Sequence, residues 1–145
     1  MRLLAPDVVV VAAYGLFLPT TILDLPRLGC LNIHPSLLPK LRGPSPVATA
    51  FLNGNVVTGV TIIRLDDRMD HGPILAQRET SIGEDETAVS LTARLFRIGA
   101  NLLLETLPRW DRGDLGLMVQ DESLATMTRQ LKKEDGKIDW DQPAE

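Results

Sequence analysis

The sequence contains two histidines, and one of them, His34, stands two positions after Asn32 and directly before Pro35. The surrounding stretch CLNIHPS, Cys30 to Ser36, holds a short apolar run and reads as a strand. Side chains alternate along a strand, so Asn32 and His34 share a face and Ile33 points the other way. A carboxamide beside an imidazole is a donor pair: the amide can stabilise an oxyanion, and the imidazole can move a proton near neutral pH. Pro35 ends the strand and leaves His34 at its carboxyl end, where open α/β sheets bind their ligands. The alternative is a histidine that is only hydrogen-bonded structure, and these residues alone leave both open.

A second group is LDDRMDHGPILAQ, Leu65 to Gln77, which carries Asp66, Asp67, Asp70 and His71. A carboxylate at Asp70 could orient His34 or accept a proton, although Asp-X-Gly is also ordinary turn chemistry. The chain lacks a dense His, Cys and carboxylate pattern, so no metal is expected. It also lacks a phosphate-cradling P-loop and a nucleophile elbow. Cys30 shares the face of Asn32, but among apolar neighbours it reads as packing.

The elements that must position these residues follow from periodicity and punctuation. DVVVVAA, Asp7 to Ala13, reads as a strand buried on both faces, and CLNIHPS as the next. TGVTIIRLD, Thr58 to Asp66, and PILAQRETSI, Pro73 to Ile82, are a third and fourth. Helices are expected at Pro19 to Pro26, at Pro44 to Gly54, and from near Asp85, where Val89, Leu91, Leu95, Ile98, Leu102 and Leu103 recur at helical spacing. The order predicts an α/β fold with a mainly parallel sheet. Only six residues, Asp67 to Gly72, join the last two strands, too few for a parallel crossover, so the pair spanning 58–82 is expected to be antiparallel.

The composition suits one globular domain: 145 residues, 44% hydrophobic and 23% charged. A net charge of −4 offers no broad basic face for a phosphate backbone. Arg2 before the apolar run Val8 to Leu18 resembles a signal peptide, but Asp7, the β-branched content and the absence of a small-residue cleavage site favour a strand. The run is shorter than the roughly 20 residues of a membrane helix, so no membrane role is expected. A single cysteine suits a reducing cytoplasm.

Taken in order, NIHPSLLPKLRG and TGVTIIRLDDRMDHGPILAQ resemble the folate-dependent formyltransferases. That family's pattern is Asn-X-His, then Ser-Leu-Leu-Pro, then a later Asp-X-Gly, and Asn32, His34, Ser36 to Pro39, Asp70 and Gly72 match it. The resemblance implies a Rossmann-like sheet and 10-formyltetrahydrofolate as co-substrate, without a metal. It implies catalytic roles for Asn32, His34 and Asp70. It also implies a folate-binding segment at Tyr14, Gly15, Leu16, Phe17 and Leu18, together with Ser36, Leu37, Leu38 and Pro39. LRGPSPV and the tail QLKKEDGKIDWDQPAE resemble the member whose acceptor is the amino group of methionyl-tRNA, in translation initiation. Alternatives are a sugar-nucleotide amine as acceptor, or an inactive folate-binding fragment. In the family several elements precede the strand at Asp7. Residues 1–119 are therefore expected to be the C-terminal half of the catalytic domain and 120–145 a linker, with the sheet incomplete on its N-terminal side and the tRNA-binding C-terminal domain absent. The open edge of the first strand is expected to promote self-association.

Overall fold

The computed structural model describes residues 4–138, 140 and 141. Arg2 of the signal-peptide comparison, and Asp139 and residues 142–145 of the tail motif, lie outside the described residues.

Among the described residues, four strands and three α-helices follow in the expected order: β1 Val9–Val11, α1 Thr20–Leu23, β2 Cys30–His34, α2 Pro46–Leu52, β3 Val57–Arg64, β4 Ile74–Ser81 and α3 Ala88–Asp111. They form one sheet in the order β1-β2-β3-β4. The antiparallel pair expected within 58–82 is β3 with β4, and Thr58 faces Thr80 in its register. The parallel part of the sheet is confined to β1 and β2, with Val11 beside Asn32. β3 runs antiparallel to β2, with His34 opposite Thr61. The cause lies in the connection. α2 has only seven residues, about two turns, while β3 has eight extended residues. The chain leaves α2 at the end of the sheet where β2 stopped, and β3 starts back from there.

β3 is buried along nearly its whole length because both faces of the sheet are covered. On one face Leu31, Ile33, Val60 and Ile62 meet Leu91, Leu95 and Leu102 of α3 in the main core. The helix approaches closely at Gly99, where a Cβ would collide with Ile33 Cγ2. Thr87 caps α3: its hydroxyl accepts from Ser90 N, and the Ser90 side chain accepts from Thr87 N. Trp110 Nε1 donates to the Leu28 carbonyl at 2.9 Å and fixes the far end. On the other face a small cluster of Leu38, Ile63 and Ile74 packs under the turn that follows β2.

β1 departs from expectation. It is three residues long, and Val10 is 45% exposed rather than buried on both faces. Its described neighbour is β2 alone, so its other side forms the edge of the sheet. Among the described residues, no helix is long and apolar enough to cross a membrane.

Candidate active site

Asn32 and His34 leave β2 on the face opposite α3, as strand alternation requires, because Leu31 and Ile33 fill the core beneath. Asp70 arrives from the β3–β4 connection. Its Oδ1 accepts from Asn32 Nδ2 at 3.3 Å, and its Oδ2 lies 3.5 Å from His34 Nδ1. The same Oδ2 accepts the Gly43 backbone N–H at 2.8 Å. Asn32, His34 and Asp70 therefore converge.

His34 is 3% exposed, and its Nε2 lies 3.0 Å from the Leu41 carbonyl. A carbonyl can only accept, so Nε2 carries the hydrogen and Nδ1 faces Asp70. Burial pushes the imidazole pKa below its ordinary value, while the Asp70 carboxylate and then the Leu41 carbonyl pull it partly back. The neutral ring thus presents a proton-accepting Nδ1, and a proton gained there meets a carboxylate.

The loop geometry explains how Asp70 reaches the pair. Asp70 has a φ of 48°, in the left-handed region that non-glycine residues seldom adopt. Two residues on, a Cβ at Gly72 would overlap the Arg64 carbonyl oxygen, so only glycine lets the connection fold this tightly against β3. His71 points elsewhere: its Nδ1 pairs with Asp66 at 2.5 Å, and its Nε2 contacts Arg68 and lies 3.4 Å from Glu122. The second histidine and Asp66 form their own cluster, and Asp67 is exposed. Cys30 is buried, with Sγ 3.5 Å from the Ile22 carbonyl.

The trio opens onto a cleft of about 510 Å³. Tyr14, Gly15, Leu16, Phe17 and Leu18 line it. Met69 from the Asp70 loop and Phe96 from α3 add further apolar wall. Such a cleft suits a mostly apolar ligand held against a few polar groups.

Residues 1–107 match a sequence family described as Formyl transferase. The chain belongs to the formyl transferase family. It is 58% identical over 144 residues to the methionyl-tRNA formyltransferase of Chloroflexus aggregans, covering 99% of this chain and 47% of that one. The chain thus spans about half the length of the curated relatives it matches. Among solved structures, phosphoribosylglycinamide formyltransferase from Bacillus halodurans is 40% identical, with a TM-score of 0.63 over 70% of this chain and 52% of that one. The formyltransferase PseJ from Anoxybacillus kamchatkensis, in complex with UDP-4,6-dideoxy-4-formamido-L-AltNAc and tetrahydrofolate, gives 0.78 at 26% identity, over 90% and 68%.

In this member of the family the second half of the expected folate-binding set lies apart from the cleft: Ser36, Leu37, Leu38 and Pro39 do not line it. They form the turn beneath the trio instead. Ser36 Oγ donates to the Lys40 carbonyl at 2.7 Å, and Thr61 Oγ1 donates to the Ser36 carbonyl at 2.7 Å. Their effect on the site runs through Leu41, whose carbonyl holds His34. Sequence reasoning also passed over the Gly43 N–H on Asp70. Its signal was present in Arg42-Gly43, which served only to mark the relative it resembled.

The segment set apart as a linker runs back over this turn. Thr126 Oγ1 accepts from Leu41 N at 2.8 Å, and Thr128 N donates to the Arg42 carbonyl at 2.6 Å. Gln120 and Thr128 are buried there.

Proposed function

We propose that this chain carries the catalytic centre of an enzyme that transfers the formyl group of 10-formyltetrahydrofolate to the amino group of methionyl-tRNA. The observation that carries the reading is the convergence of Asn32, His34 and Asp70 at the mouth of an apolar cleft. The 58% identity to a methionyl-tRNA formyltransferase supports this acceptor. Residues 1–119 are read as part of the catalytic domain, and 120–145 as the segment leading from it.

10-Formyltetrahydrofolate supplies the formyl carbon, and the neutral amine of the aminoacyl-tRNA is the nucleophile. As the new C–N bond forms, the carbonyl oxygen becomes an oxyanion. Asn32 Nδ2 is placed to hold it, and His34 Nδ1 becomes a second donor once it has taken up the proton the amine loses, directly or through Asp70 or water; one such donor is worth about 3–4 kcal/mol of barrier in comparable sites. Asp70 stabilises the imidazolium so formed. Collapse breaks the bond to the folate N10, which takes up a proton as it leaves. The net movement is one formyl group and one exchanged proton, and the His34–Asp70 pair is the relay. Proton transfer of this kind contributes roughly 10²–10⁴ in rate.

A second reading has an observation in its favour: the likeness to PseJ, with a formamido sugar nucleotide and tetrahydrofolate bound, suggests a sugar amine as acceptor. The test is a chimera in which this chain replaces the matching 47% of the Chloroflexus aggregans relative. Formylation of methionyl-tRNA, lost on His34→Ala, is the expected result. Transfer to a UDP-amino sugar but not to methionyl-tRNA would move the assignment to the second reading.

A further inference from the structure

Asp70 holds a strained backbone conformation, with a φ of 48°, and such a residue keeps its place only when its surroundings over-determine it. The bonds that do so come from outside the trio. Gln120 Nε2 donates to the Asp70 carbonyl at 2.8 Å and to the Gly72 carbonyl at 2.8 Å. Its Oε1 accepts from Arg42 Nε at 3.1 Å and from Arg42 Nη2 at 2.9 Å. All four hydrogen-bonding positions of the amide are used. Arg42 and Gln120 are each 5% exposed, so these bonds are shielded from water.

Arg42 lies between the two residues of its loop that touch the trio. Leu41 accepts from His34 Nε2, and Gly43 N donates to Asp70 Oδ2. The connections close a ring: His34 to Leu41, along the chain to Arg42, across to Gln120, on to Asp70, and back to His34 at 3.5 Å. Glu122 completes the fork on Arg42, with Oε1 at 2.7 Å from Nη2 and Oε2 at 3.1 Å from Nη1.

We infer that Gln120 and Arg42 are positioning residues for formyl transfer, clamping the loop that bears Asp70 to the loop that holds His34 and so fixing the imidazole–carboxylate geometry. The inference rests on the reading of the trio as the formyl-transfer centre. A clamp of this kind matters because displacements near 1 Å at a catalytic group cost rate steeply. Gln120 touches neither cleft nor trio side chains, and acts through the Asp70 backbone.

The test is a ¹⁵N NMR titration of the histidine rings in the 145-residue chain, with His71→Asn assigning the two signals. Asp70 is the charged group in contact with His34, and Asp66 and Arg68 also line the cleft. Replacing Asp70 with Asn should lower the His34 midpoint, because the carboxylate favours the charged ring. In a Gln120→Met background that shift should shrink by roughly half or more, the signature of coupled sites. Arg42→Lys, which keeps the charge but loses the fork, should reduce it as well, with unfolding still cooperative. Tetrahydrofolate affinity, read by equilibrium dialysis, should change less than twofold in both variants, since neither side chain lines the cleft. An Asp70→Asn shift of the same size in all three backgrounds would overturn the clamp. The chemical reading fails separately: formyl transfer in the chimera that survives His34→Ala would remove the trio from the reaction, while the reduced NMR shift would still establish the clamp.

Discussion

His34 is a buried base whose protonation the fold resists and whose neighbour invites it. Burial lowers its pKa in the folded chain, below an ordinary value near 6.5. The unfolded chain therefore binds this proton more readily. Its contribution to stability is complete above about 6.5 and is lost as pH falls through the lower, folded value. The melting temperature of the chain should thus fall from neutral pH toward acid, and His34→Gln should flatten that fall; an unchanged slope would remove His34 as its cause. Asn32 is argued from chemistry instead. Asn32→Ala in the chimera should lower kcat about 10²–10³-fold, the usual loss of one oxyanion donor, with little change in unfolding. Asn32 and His34 were legible in the sequence because strand alternation alone puts them on one face. Asp70 was legible as a candidate carboxylate in a short connection, but its placement was not: no periodicity reports that residue 70 adopts a φ of 48° and turns its carboxylate back 38 residues to Asn32. Gln120 carried no signal at all, since its role depends on a segment folding back over a turn.

At the scale of elements, α3 was the most legible feature, because its repeat of Leu91, Leu95 and Leu102 faces a sheet that buries them. Val89, counted in the same repeat, is 81% exposed, and the helix begins at Ala88 rather than near Asp85 because the Thr87–Ser90 cap sets its first turn. Leu95→Ala should cost about 2–5 kcal/mol, since the residue is fully buried against β2 and β3 and nothing nearby is free to fill the space. Thr87→Ala should cost about 1 kcal/mol, the usual value of a lost cap. Both are read from urea unfolding, and a cap variant costing more than the core variant would invert the argument. Strand direction was less legible. A strand buried on both faces reads the same in parallel and antiparallel sheets, and β3 carried exactly that ambiguity. The short link 67–72 settled β3 against β4, whereas the longer link from β2 to β3 permitted either direction.

At the scale of the whole molecule, surface and charge decide what the 145-residue chain does by itself. Its net charge of −4 gives no basic face with which to hold a phosphate backbone, so capture of tRNA should be weak. The apolar surface points to self-association instead. Val10 on the edge strand is 45% exposed, Leu16 72%, Phe17 64% and Val119 82%. Among the described residues the outer side of β1 has no partner strand, the arrangement that templates strand addition, and the charges nearby include Arg27, bonded to Asp7 at 3.3 Å and to Asp111 at 2.9 Å. The chain should therefore sediment as a concentration-dependent mixture. Val10→Lys should shift it toward monomer, because a charge on an edge strand opposes edge-to-edge pairing and Val10 is half-exposed. Formylation of methionyl-tRNA by the chain alone should fall far below that of the Chloroflexus aggregans relative, chiefly through a raised KM, because a net charge of −4 disfavours holding a large polyanion. Sedimentation velocity on both forms, alongside formylation with methionyl-tRNA, checks the two halves together. A wild-type chain that is monomeric at every concentration, and that turns over methionyl-tRNA with the relative's KM, would refute both: the exposed edge would be inert, and the acceptor would be held by surface that carries no favourable charge for it.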